Sequence, residues 1–439
     1  MASLELLQAL LRSGPRDANA ICQALDISQP TFSRLWKRKG AGIVQIGKAR
    51  ASRYALLRPL DELGAELPLF RIDSYGSSAI YGKLTLLHGD HTLFTRFDGI
   101  EASYEGLPYF LQDQRPQGFL GRSAPRQSPE LHLPQDIRQW NDDNVLQWAA
   151  RRGIDAAGDL IVGNESYRRF HSTAPMIHME EAREAIYPTL ADRANLGDAE
   201  PGSSAAGEQP KFTTRVTRAD DKVDHVIVKF SPPTDSDNGR RWADLLIAEH
   251  LALHTLQDHG IASCETQIVI TERRLFLESV RYDRHGRRGR SPAITLAALD
   301  GITGAADKNW TDCAKLLVGE GRLGQTDAHT VAMLDVFGIL IGNNDRHHGN
   351  LGFTWHDDGT LALAPAYDML PMLYRPNTQG EIVPRHVDLT TLDRLDLQHL
   401  PIAYAMARDF WERVEKDERI SEDFRNIATA HAAAIRMTP

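Results

Sequence analysis

The run Leu340-Ile341-Gly342-Asn343-Asn344-Asp345-Arg346-His347-His348-Gly349-Asn350, followed by Ala364-Pro365-Ala366-Tyr367-Asp368, constrains this chain more than any other stretch. It sets Asp345 and Asn350 in the spacing D-x-x-x-x-N and adds a second Asp in a short apolar frame. Phosphoryl transfer needs those groups at that spacing: a carboxylate to accept the proton of an attacking hydroxyl, and hard oxygen ligands for Mg²⁺ between phosphates. Asp345 suits the base, and Asn350 and Asp368 suit the ligands.

The remaining parts of such a site lie upstream, in order. Val226-Ile227-Val228-Lys229-Phe230 reads as a buried strand presenting an ammonium to phosphate. Before it, Gly202-Ser203-Ser204-Ala205-Ala206-Gly207-Glu208-Gln209-Pro210-Lys211-Phe212 is rich in small residues, which let backbone N–H groups approach phosphate oxygens. After it, Trp242 to Leu256 reads as a helix with Leu245, Leu246, Glu249, Leu253 and Leu256 near one face, where Glu249 can pair with Lys229 or stay solvated. Lys211 is either a phosphate ligand or an exposed lysine. His347-His348 has no third ligand spaced to make a metal site, and one of the pair can touch nucleotide instead.

At S-S-A-A-G-E-Q-P-K (Ser203 to Lys211), H-V-I-V-K (His225 to Lys229), V-R-Y-D-R (Val280 to Arg284), N-N-D-R-H-H-G-N (Asn343 to Asn350) and A-Y-D-M-L-P (Ala366 to Pro371), the chain resembles the HipA-like serine/threonine kinases, the toxin half of bacterial persistence modules. The likeness covers most of the chain after about residue 65 and is strongest to the stand-alone branch with a DNA-binding head on the same chain. It implies Asp345 as catalytic base and Asn350 and Asp368 as Mg²⁺ ligands. It implies ATP contacts at Ser204, Ala205, Ala206, Gly207, Lys211, Lys229, Val280, Tyr282 and His347, with Val280 to Tyr282 as the hinge that meets adenine. It also implies autophosphorylation in the loop, at Ser204 or Ser203, which ejects the loop and silences the enzyme. Three departures stand out: Asn344 before the base where ordinary kinases have Arg, Tyr-Asp-Met at the metal motif, and only Gly202 and Gly207 in the loop. The resemblance further implies ATP and Mg²⁺ as cofactors, a protein substrate with Ser or Thr, and a separate antitoxin or self-association.

Charge divides the chain. Residues 1–60 hold ten Lys/Arg against three Asp/Glu, while the whole chain is at −9, leaving −16 on the rest. A basic head on an acidic body points to a polyanion partner for the head. That head parses as a winged helix-turn-helix: helices from Leu4 to Leu11, Asp17 to Leu25 and Gln29 to Arg38, then strands Ile43 to Ile46 and Ser52 to Leu57 around a basic wing. Gln29, Thr31, Ser33, Arg34 and Lys37 on the third helix, with Lys48 and Arg50 on the wing, suit base edges and phosphates of DNA.

The expected architecture is α+β: a winged helix-turn-helix over 1–60, a β-rich subdomain over 66–165, a kinase-like N-lobe over 166–285 and a mostly helical C-lobe over 286–439. Leu60 to Pro68 reads as a linker, Ile80 to His88 and His91 to Phe97 as a hairpin around Gly89-Asp90, and 134–160 as helical with Trp140 and Trp148 in the core. Ala191 to Pro210 reads as a loop, and Arg375 to Arg385 as a polar loop near the site. No apolar run of eighteen residues exists, so no membrane partner is expected and cytoplasm is the default. Cys22, Cys264 and Cys313 show no zinc or disulfide spacing. The alternatives are a catalytically inactive, nucleotide-sensing transcriptional regulator, and a metal-dependent nuclease, for which the chain carries no specific motif.

Overall fold

The computed structural model describes residues 4–38, 40, 42–197, 207–387 and 400–436. Ser203, Ser204, Ala205 and Ala206 therefore lie outside the described residues.

The head is three short helices on a small sheet. Helices Leu4–Leu11, Ala18–Leu25 and Gln29–Trp36 bury Leu7, Leu11, Ile21 and Phe32 against Leu56. Asp17 caps the second helix by accepting from Ala20 N at 2.8 Å, and Asp26 ends it in the left-handed conformation. Ser28 caps the third, which stops at Trp36, two residues short of the expected end; Lys37 is its C-cap, and the following Lys-Arg-Lys charges and Gly40 do not favour another turn. Strands Ile43–Ile46 and Arg53–Leu56 pair as expected, and a two-residue strand, Arg16–Asp17, adds a third that the sequence did not reveal. Gln29, Arg34, Lys37 and Lys48 are exposed, Thr31 and Ser33 half-buried, and Arg50 sits in the turn Ala49–Ala51. Strands Ile43–Ile46 and Arg53–Leu56 dock on the next unit through Ile46, Ala55, Leu87 and Leu93, and Gly47 N donates to Glu101 Oε2.

The middle unit is a five-stranded antiparallel sheet in the order Glu101–Glu105, His91–Arg96, Ser78–Leu87, Glu66–Ile72, Leu160–Val162. Leu87 pairs with His91, so the connection is the three residues His88-Gly89-Asp90, one more than the expected Gly-Asp join, and Gly89 and Asp90 turn the chain with positive φ, 76° and 55°. The linker expected at Leu60 to Pro68 is a correction: a strand starts at Glu66. Pro68 deceived because it breaks most strands, but its carbonyl faces Gly163, just past the end of the short neighbouring strand, where no N–H is missed. The helix expected over 134–160 shrinks to Asp142–Arg152, capped by Asn141, with Leu160–Val162 extended; Trp140 and Trp148 are buried.

A second five-stranded sheet carries the lysine strand. Its order is Thr266–Ile270, Leu275–Val280, Val223–Phe230, Lys211–Thr217, His178–Met179, antiparallel except at the last pair. Helix Asp237–Asp258 packs on it and buries Leu245, Leu246, Glu249, Leu253 and Leu256. Helix Arg183–Asn195 occupies the first residues of the expected loop at Ala191. The C-terminal unit is helical, with Trp310–Gly319, Gln325–Leu340, Leu400–Lys416 and Glu422–Arg436 closing over Phe337, Phe410, Trp411 and Phe424. No helix among the described residues is long and apolar enough to cross a membrane.

Buried histidines give this fold an acid limit. His225 is 5% exposed; burial, then Arg215, push its imidazole down to about 3. Burial likewise holds His250 and His431 at about 4. The unfolded chain binds those protons through about pH 6.5, so stability is full above that value and is lost as pH falls toward 3. The unfolding midpoint is expected to drop between pH 7 and pH 5, with His225 alone contributing roughly 2 kcal/mol at pH 5. His225→Gln should flatten part of the profile; a midpoint independent of pH over that range would overturn this account.

Candidate active site

The site lies between the second sheet and the helical unit. Lys211 and Lys229 face each other across neighbouring strands. Lys229 Nζ donates to Glu249 Oε1 at 2.5 Å and Oε2 at 2.7 Å, and also to Asp368 Oδ1. Its side chain is 4% exposed and that of Glu249 is 1% exposed. Burial pulls the Lys229 ammonium down, but Asp368 and Glu249 reverse this and hold it well above the usual lysine value. Burial pushes the Asp368 carboxyl up, yet Lys229 and Lys211 override it and bring it to about 2. Lys211 is buried, its ammonium has no hydrogen-bond partner among the described residues, and burial lowers its proton affinity. A buried lysine that makes no hydrogen bond among the described residues, beside a second lysine and offset chiefly by the nearby Asp368 charge, is an arrangement that an incoming anion stabilises.

The loop after helix Gln325–Leu340 is fixed by its own backbone. Asn343 Oδ1 accepts from Asp345 N at 3.0 Å, and the Asp345 carbonyl accepts from His347 N and from Asn350 Nδ2, both at 2.9 Å. Asn350 thus commits its amide nitrogen and leaves Oδ1 free. The Asp345 carboxylate accepts no hydrogen bond among the described residues and lines the open cleft. Arg346 anchors the loop from behind: it donates to the Asn343 carbonyl and, at 3.2 Å, to Asp335, which Thr311 also holds. Gly338 makes room, since a Cβ there would stand 2.4 Å from Arg346 Cδ. Asp368 adopts a left-handed backbone, φ 51°, a conformation that costs about 1 kcal/mol and collects at functional positions.

Two cavities meet at these residues. A narrow one is lined by Val280, Arg281, Tyr282, Tyr367, Asp113 and Ile294 and ends at Lys211, Lys229, Asn350 and Asp368. The other is a cleft of about 810 Å³ that shares those four residues and adds Gly207, Asp345, His347, Arg375 and Arg385. The structure therefore brings together every described residue expected at the site. His347 is exposed and reaches the cleft rather than the narrow pocket. His348 is no free ligand, because Asp300 Oδ1 at 2.6 Å and the Lys308 carbonyl at 2.8 Å occupy both ring nitrogens. No group of three or more His, Cys, Asp or Glu suited to a metal exists among the described residues. Asn350 Oδ1 and Asp368 are a hard, two-residue donor set, which fits Mg²⁺ completed by phosphate and water and does not fit zinc. The sequence reading missed Asp113, brought in from the middle unit and tied to Thr295, and the ion network Arg281–Asp155–Arg284–Asp283 behind the hinge. The alternating charges of V-R-Y-D-R were the available signal.

Residues 63–171 match the family model for the middle domain of YjjJ-like toxins, and residues 203–437 match that for the HipA-like C-terminal domain. The chain is 37% identical over 435 residues to Toxin YjjJ of Escherichia coli (strain K12), across 98% of this chain and 97% of that one. The chain belongs to the HipA-like toxin family. Among solved structures, this HipA-like toxin chain is similar to HipA of Shewanella oneidensis MR-1, solved with HipB and its operator DNA, at TM-score 0.49 and 14% identity over 83% of this chain and 95% of that one. The proinflammatory kinase CtkA of Helicobacter pylori follows at TM-score 0.35 and 14% identity, over 49% and 87%. The assignment rests on the sequence matches.

Proposed function

We propose that this HipA-like chain is an ATP- and Mg²⁺-dependent protein serine/threonine kinase. The observation that carries the reading is Lys229, buried and clamped between Glu249 and Asp368 at the junction of a narrow pocket and an open cleft. Nucleotide enters with its base against Val280 to Tyr282 and its phosphates toward Lys229 and Lys211. The substrate hydroxyl comes from the cleft, where Asp345 takes its proton as the new O–P bond forms and the bond to the leaving ADP oxygen breaks. Asn350 and Asp368 would hold Mg²⁺, which would supply neutralising positive charge to the phosphates. The chain's own residues hold the geometry: Asn343 and Arg346 aim the loop, and Glu249 keeps Lys229 extended.

Separate sheets in the head, the middle unit and the unit bearing Lys229 support dividing the chain at 1–60, 66–165, 166–285 and 286–439. Ser203 or Ser204 is the site of self-modification in this proposal. Incubating purified protein with ATP and Mg²⁺, beside Asp345→Asn, tests the proposal: a phosphoryl group on Ser203 or Ser204 that is absent from the variant supports it. No phosphate on either protein, from material that arrived unmodified and binds ATP, moves the assignment to a nucleotide-sensing regulator.

The head binds DNA in this proposal, with helix Gln29–Trp36 as the reading element. Exposed Arg34 and Lys37 are expected to contact phosphates or bases. Replacing a phosphate-contacting lysine such as Lys37 by Ala should weaken binding to all sequences alike and reduce the salt slope by about 1. Fluorescence anisotropy at several salt concentrations reads both. Unchanged binding in Arg34→Ala/Lys37→Ala would remove the helix from the interface. A separate antitoxin, or restraint by the fused head itself, is the matching expectation for partners.

A further inference from the structure

Behind the hinge, on the side away from the nucleotide pocket, lies a second cavity of about 350 Å³. Seven arginines line it. Arg284, Arg287, Arg288 and Arg290 come from the run Arg284-His285-Gly286-Arg287-Arg288-Gly289-Arg290, which folds as a small hairpin just after the hinge. Arg215 comes from the strand Lys211–Thr217, and Arg152 and Arg169 from two helices of the middle unit. The body that contains them is acidic, so this cluster is not background.

Their partners separate them into two groups. Glu165 holds Arg152 and Arg169, and Asp155 and Asp283 hold Arg284. Arg215, Arg287, Arg288 and Arg290 form no close ion pair among the described residues, and the Asp155 charge reaches Arg215 and Arg290 only from a longer distance. Arg288 donates to the carbonyls of Phe170 and Thr173, and Arg290 to that of Ile154. Both guanidinium groups also lie over the Phe170 ring, at 5.3 and 4.9 Å. Three N–H groups in the cluster, Arg215 Nε, Arg284 Nε and Arg290 Nη1, are buried without any hydrogen-bond partner. Arg290 is 4% exposed and Arg284 5%. Gathering like charges out of water with donors unused is costly unless an anion joins them.

The kind of anion follows from the donors. One carboxylate would neutralise a single arginine. A phosphate group brings roughly two negative charges and three acceptor oxygens, matched to guanidinium forks. The concave site, converging from five elements, has the volume of a small-ligand pocket rather than a nucleic-acid groove. We propose that this pocket is a second anion site, built for a small molecule bearing a phosphate or pyrophosphate group. Asp155 joins it to the hinge, accepting from Arg281 of the nucleotide pocket at 3.1 Å and from Arg284 of the rear pocket at 3.4 Å.

Isothermal titration of the full chain with inorganic pyrophosphate, in phosphate-free buffer and with a non-hydrolysable ATP analogue saturating the front site, tests this. The wild type should bind pyrophosphate. Arg287→Ala, which removes no structural bond among the described residues, should lose at least about tenfold in affinity, with analogue affinity and unfolding midpoint unchanged. Arg215→Gln, which leaves the hairpin's backbone bonds alone, should show the same loss. Absence of pyrophosphate binding by the wild type, or equal affinity in the variants, overturns the proposal. If the analogue does not bind, the kinase reading fails by itself, while the comparison of rear-pocket variants still decides this one.

Discussion

Asp345→Asn is expected to cut phosphoryl transfer by roughly 10²- to 10⁴-fold while ATP affinity stays within about twofold. The split follows from the bonds at the loop. What Asp345 itself contributes to the loop's shape runs through its backbone: its N–H to Asn343 and its carbonyl to His347 and Asn350. The carboxylate has no structural bond to lose, so the amide keeps the fold and removes only the proton acceptor. The groups proposed to contact nucleotide, Lys211, Lys229 and Val280 to Tyr282, are untouched. Rates of serine phosphorylation by peptide mass spectrometry, beside ATP affinity by calorimetry, check both halves. Growth arrest on expression should disappear with the activity. Arrest that persists undiminished in a variant without transfer would sever the toxin's effect from its chemistry.

How much of this was legible beforehand differs by the range of the interaction. The loop bearing Asp345, the lysine strand and the helix bearing Glu249 were readable as elements because each is a local pattern in the sequence. The hairpin around Gly89-Asp90 was readable for the same reason. What failed was long-range. Pro68 looked like a linker residue because only its position beside a three-residue strand makes it harmless. Asp113 gave no local sign that it would reach the narrow pocket beside Lys229, more than a hundred residues before the lysine strand. The rear pocket needed arginines from the middle unit, the strand Lys211–Thr217 and the hairpin together, and no single window of sequence contains them. Lys211 stood between exposed lysine and phosphate ligand until the register put it opposite Lys229 and out of solvent.

Lys229→Met carries the largest expected cost to the fold. Removing that ammonium leaves Glu249 and Asp368, side chains 1% and 19% exposed, facing one another without their shared counter-charge. Breaking such a buried pair costs about 3–5 kcal/mol, against near neutrality when both partners go. Lys211 is the nearby cation that remains, and burial already weakens its hold on a proton. The carboxyls of the variant should therefore answer by rising: Glu249, which burial pushes up even with Lys229 present, and Asp368, no longer held near 2. An acid raised in the folded state contributes stability below its unfolded value, near 4.5 for Glu, which is lost as pH rises. The deficit of Lys229→Met against wild type should thus be larger at pH 8 than at pH 5. ATP affinity should fall at least about tenfold in the same variant, since the phosphate-facing charge is gone. Lys229→Met/Glu249→Gln separates the two effects, because it should regain most of the unfolding midpoint and none of the nucleotide affinity. Equal midpoints for the single and double variants would mean that Lys229 does not hold these carboxylates together, and that its place at the junction of the two cavities serves the ligand alone.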